Sequence, residues 1–104
     1  MIMTTVEAVP DKKIVAHFGI VTGSTVRSKH FGRDLFAGLK NIIGGELKGY
    51  TELMEETRDE ATERMVAQAT KLGANAIIGI RYATSDVAPG AAEVFAYGTA
   101  VKVE

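Results

Sequence analysis

At 104 residues and 11.1 kDa the chain has room for one domain and one core. Hydrophobic residues make up 46% and charged residues 24%, the balance of a folded domain, which argues against disorder. A net charge of −1 excludes the basic footprint of a dedicated nucleic-acid binder, and the lack of cysteine excludes disulfides, thiolate metal sites and a cysteine nucleophile.

Ile14 to Val21 reads as a strand, with Ile14, Ala16, Phe18 and Ile20 on one side and Val15, His17, Gly19 and Val21 on the other. Thr22-Gly23-Ser24 reads as a bend or bulge, with extended chain resuming over Thr25 to Ser28. Arg33 to Ile43 is expected as a short amphipathic helix, because Leu35, Phe36, Leu39, Ile42 and Ile43 form one apolar stripe. Gly44-Gly45 ends it.

A longer helix is expected from about Glu46 to Leu72. Leu47, Tyr50, Met54, Ala61, Met65, Ala69 and Leu72 recur at spacings of three, four or their sum, Thr57 fills the gap, and Gly73 is the stop. Between Glu46 and Arg64 seven acids stand against three bases, which reads as a solvated helix face. Ala76 to Thr84 and Glu93 to Val103 are two further strands. With Pro89-Gly90 between them, they form an antiparallel hairpin. Met1 to Val6 adds a short edge strand.

These elements give an α+β fold: a two-layer sandwich in the order β-α-α-β-β, with a small antiparallel sheet of three or four strands covered on one face by one short and one long helix. Residues 14–21 and 76–80 are apolar on both sides, whereas a sheet with one wet face alternates. Two helices cover one face and leave nothing for the other, so a second copy of the chain is the expected cover. Met1 to Lys13 shows no basic region followed by an apolar core, and no apolar run approaches the ~20 residues that span a bilayer. A cytoplasmic protein with no membrane or nucleic-acid partner is the expectation.

Candidate chemistry is sparse. His17 and His30 are the weak metal candidates; they share no zinc-type spacing, but symmetry in an oligomer brings copies of one histidine together. Ser24, His30 and Asp34 lack any nucleophile-elbow pattern, and Gly19, Gly23, Gly44 and Gly45 match neither the dinucleotide nor the P-loop fingerprint. A polar group of Arg33, Asp34, Glu52, Glu55 and Arg58 near the paired glycines, with Asn75 as a further polar candidate, suits either a staple between helices or subunits or a pocket for a small ligand or ion.

The run from Phe31 to Glu46, FGRDLFAGLKNIIGGE, resembles the signature of the YbjQ-type family. Gly19 to Gly23 (GIVTG), Leu72 to Gly79 (LGANAIIG) and Ala96 to Val101 (AYGTAV) agree with it, so the resemblance covers nearly all of residues 1–104 as a single domain. It implies a dodecin-like subunit that assembles as a ring-shaped homopentamer, in a family of undetermined activity labelled as heavy-metal-binding. The loop Arg27-Ser28-Lys29-His30 departs from the family pattern by carrying charge. The only sulfur is in Met1, Met3, Met54 and Met65, a thin supply of soft ligands.

The favoured reading is a non-enzymatic oligomeric module that binds a small ligand or ion, a metal among the candidates, at subunit interfaces. No other cofactor is implied. The alternatives are a structural or partner-binding ring without a ligand, and an enzyme that uses Arg33, Asp34, Glu52 and Arg58. The oligomer expectation is checked by light scattering at micromolar concentration, which should return a multiple of 11.1 kDa.

Overall fold

The computed structural model describes residues 1–27, 48–88 and 91–104. Its elements are β1 (Ile2–Met3), β2 (Ile14–Arg27), α1 (Lys48–Lys71), β3 (Ala76–Ala88) and β4 (Ala91–Val103). The strands form one four-stranded sheet in the order β1-β3-β4-β2. β3 and β4 make the expected antiparallel hairpin, and β2 pairs antiparallel with β4. The sheet is nevertheless mixed, because β1 runs parallel to β3, Ile2 opposite Ala76 and Met3 opposite Ile77. The described residues contain one helix. The short helix expected over Arg33 to Ile43, the Gly44-Gly45 stop and Pro89-Gly90 lie outside them.

The expected bulge at Thr22 to Ser24 is absent, and β2 runs unbroken through those residues. Its register instead slips between Ile14 and Ala16 and between His17 and Gly19. Gly19 has φ +96°, a conformation that costs glycine nothing and permits the second slip. The extra residue resets the alternation of sides. Phe18 and Val21, three apart, therefore reach the same core, while Ile20 points to the opposite face and is 76% exposed. β3 repeats the device: its register slips between Ile78 and Arg81, Gly79 has φ +62°, and Ile77 and Ile80 both enter that core.

α1 buries Leu53, Thr57, Ala61, Met65 and Ala69, a row with an exact four-residue period. Leu72, expected in this stripe, is 45% exposed, because the row has ended one turn earlier. Thr57 is tolerated inside because its hydroxyl donates to the Leu53 carbonyl at 2.7 Å. Gly73 ends the helix as its sequence position suggests: Gly73 N–H bonds to Thr70 O and Ala74 N–H to Ala69 O, both at 3.1 Å.

The row packs on Val21, Ile77, Ile80, Val94, Ala96 and Ala100. α1 lies chiefly over β2, less over β4, and scarcely meets β3. Helix and strand touch most closely at Gly23, where a β-carbon would collide with the Ala61 carbonyl oxygen and stand 2.6 Å from the Met65 nitrogen. On either side of Gly23 the helix also bonds the β2 backbone. Thr22 N–H donates to Gln68 Oε1 at 2.7 Å, and Arg64 Nη1 donates to Ser24 O at 2.6 Å. These contacts satisfy polar backbone groups on an edge strand that would otherwise invite another chain.

Among the described residues the other face of the sheet is covered at one end only. A strap from Thr4 to Pro10 crosses it, held by Thr4 N–H to Ile77 O, Gly79 N–H to Val6 O and Ile80 N–H to Thr4 O. Val9 packs there against Ala76, Ile78, Val101 and Val103.

Gly23→Ala should force α1 off β2 and lower stability by about 1–3 kcal/mol, the usual cost of overpacking. Urea unfolding measures it as a lower midpoint at unchanged slope.

Candidate functional site

Among the described residues the helix-side face of β3 and β4 is left partly bare beside the N-terminal half of α1, and this forms a recess of about 400 Å³. One wall is the helical stripe Thr51, Met54, Glu55 and Arg58, at i, i+3, i+4 and i+7. The other is Tyr82 and Thr84 of β3 with Val94 of β4. Thr84 and Val94 are register partners, and so are Val94 and Thr25 of β2, so the three residues form a row across the sheet. The Tyr82 hydroxyl is fixed by the Thr62 hydroxyl at 2.7 Å. The Thr25 hydroxyl is buried with no hydrogen-bond partner among the described residues, a polar atom left inside the apolar layer.

The walls are mostly apolar, with hydroxyls and one charge of each sign around them. Arg58 bonds its helix neighbour Asp59 at 3.3 Å through Nη2, in a pair too exposed to contribute much. Its remaining donors are available to a ligand. Sequence reasoning found Glu55 and Arg58 but missed Thr51, Tyr82, Thr84 and Val94. The available signal was the alternation of Tyr82 and Thr84 along a strand whose partner, Val94, is apolar.

Of the expected polar group, Glu55 and Arg58 meet in the recess, while Glu52 and Asn75 are not among its lining residues. Glu52 and Arg58 both lie exposed on α1. Asn75 follows the far end of that helix, roughly 20 Å from Arg58 at 1.5 Å per helical residue. There it has a structural task. Its amide Nδ2 donates to Val103 O at 2.9 Å, and its Oδ1 accepts from Val103 N–H at 2.8 Å. Arg33, Asp34 and His30 lie outside the described residues. The Ser24 carbonyl accepts from Arg64, and His17 is exposed on β2 opposite Val101.

A model of the YbjQ family, described as "Putative heavy-metal-binding", matches residues 1–104. The chain belongs to this family. A UPF0145 protein of Hahella chejuensis is 64% identical over 104 residues and covers all of both chains. The UPF0145 protein TTHA1944 of Thermus thermophilus is 52% identical over all of this chain and 91% of its own length. A crystal structure of a DUF74-family protein of unknown function from Pediococcus pentosaceus superposes with a TM-score of 0.68 at 20% identity. It covers 100% of this chain and 98% of its own, a likeness of fold.

The metal in the YbjQ description finds no matching donor set among the described residues. No three His, Cys, Asp or Glu side chains gather there, and the sequence has no cysteine. Of the methionines, Met65 is fully buried and Met1 and Met3 lie at the exposed N-terminus, leaving Met54 alone in the recess. No helix among the described residues is long and apolar enough to cross a membrane.

Asn75→Ala should leave both Val103 backbone groups without their partners. The expected loss is about 1–3 kcal/mol of stability, read from the urea midpoint.

Proposed function

We propose that this YbjQ-family protein is a non-enzymatic homo-oligomer, with five copies in a ring as its family resemblance implies, and that it binds a small ligand or ion. The observation that carries the oligomer is the open half of the sheet face opposite α1. Ile20 and Val26 of β2 and Phe95 and Tyr97 of β4 share that side by register, and they are 76%, 53%, 36% and 39% exposed. The Phe95 and Tyr97 rings lie 5.5 Å apart and form an aromatic pair in the middle of that side. Exposed apolar side chains gathered on one face mark an interaction site. A second copy covers it without requiring any other partner.

The binding half of the proposal is supported by the recess, whose mostly apolar walls and few polar groups are those of a ligand site. Glu55 and Arg58 are solvent-exposed rather than enclosed, which suits recognition better than acid–base catalysis.

Ile20→Lys combined with Tyr97→Lys places two charges on the open face while leaving the buried core untouched. Light scattering should then give the 11.1 kDa monomer where the parent chain gives a multiple. An unchanged mass in the double variant, with the fold intact by circular dichroism, would remove this face as the interface.

A further inference from the structure

The recess beside α1 also indicates what kind of ligand it takes. A helix about 10 Å across covers two strands spaced about 4.8 Å apart, and α1 spends that width on β2 and β4. Among the described residues no helix covers Tyr82 and Thr84 on the third strand, which form the floor of the recess, 44% exposed at Tyr82. Met54, Val94 and the Tyr82 ring supply apolar contact for a small side chain. Glu55 and Arg58 stand three residues apart on α1, which puts an anion and a cation side by side on the rim of one recess.

A simple carboxylate would gain from Arg58 and be repelled by Glu55, and a simple amine would meet the reverse. A zwitterion with an apolar body satisfies both. Its carboxylate accepts from the Arg58 guanidinium, its ammonium donates to the Glu55 carboxylate, and Thr51 and Thr84 add hydroxyl-bearing side chains to the lining. At about 400 Å³ the recess falls within the range of small-molecule sites and holds an amino acid of any size.

We propose that the recess formed by Thr51, Met54, Glu55 and Arg58 with Tyr82, Thr84 and Val94 binds an α-amino acid with an apolar side chain. The inference rests on the binding-module reading and supplies its ligand class.

The test is a two-dimensional ¹⁵N NMR titration of the full chain with L-phenylalanine, with phenylacetate and phenethylamine in parallel. A ligand of this size in an open site binds with a Kd on the order of 1 mM, within reach of the method. L-Phenylalanine should give saturable shifts centred on residues 51–58, 82–84 and 94. Phenylacetate and phenethylamine, each lacking one charge, should bind at least about tenfold more weakly. Glu55→Gln and Arg58→Gln should each reduce L-phenylalanine affinity by a similar factor at unchanged melting temperature.

No saturable shift, shifts centred elsewhere, or equal affinity for phenylacetate or phenethylamine would overturn the assignment, and none of these outcomes depends on a variant that must fold. Light scattering of the same sample separates the two readings. An oligomer without binding sinks the ligand assignment alone. A monomer that binds L-phenylalanine sinks the proposed assembly and leaves the ligand assignment standing.

Discussion

The width of a helix against the width of a sheet governs this molecule. Among the described residues a single 24-residue helix, roughly 36 Å long, faces a sheet of three long strands that presents two faces. Such a helix seals the groove between two strands and no more. α1 takes β2 and β4, and Gly23 allows the two backbones to meet closely enough for the Leu53-to-Ala69 row to bury. Among the described residues that choice leaves the flank over β3 bare, and half of the opposite face is bare because the one helix lies on one face only. The first makes the recess and the second the apolar patch.

Polar groups are placed to defend the same arrangement. Threonines within α1 return their hydroxyls to carbonyls four residues back, as Thr57, Thr62 and Thr70 do, so they sit in the helix without exposing a demand for water. Gln68 and Arg64 reach over the edge of β2 and occupy backbone groups of Thr22 and Ser24. At the other edge the strap from Thr4 to Pro10 pairs with β3, and Arg81 anchors it by donating to Thr5 O at 2.8 Å. Both edges of the sheet thus carry their own protection over part of their length.

Membership in the YbjQ family fixes the kind of domain and leaves the chemistry open. The donors that a heavy metal prefers are scarce in the sequence and do not cluster among the described residues. The recess offers instead a rim of paired opposite charges over an apolar floor, a pattern suited to organic zwitterions rather than to soft cations.

The long helix and its glycine stop, the β3–β4 hairpin, the strand at β2 and the family are all legible in the order of residues. All of these are local signals, set by side-chain periodicity and by glycine at a turn. That order also marks the strands as apolar on two sides. How those sides divide depends on strand pairing in the folded chain. The register slips near Gly19 and Gly79 turn Ile20 outward and bring Phe18 and Ile80 inward, and a slip leaves no trace in alternation read one residue at a time. The parallel pairing of β1 and the role of Asn75 were equally hidden, since both depend on partners distant in sequence. The recess was hidden for the same reason. Its two walls are over twenty residues apart in the chain, and they become a site only because the helix is too narrow to cover the third strand.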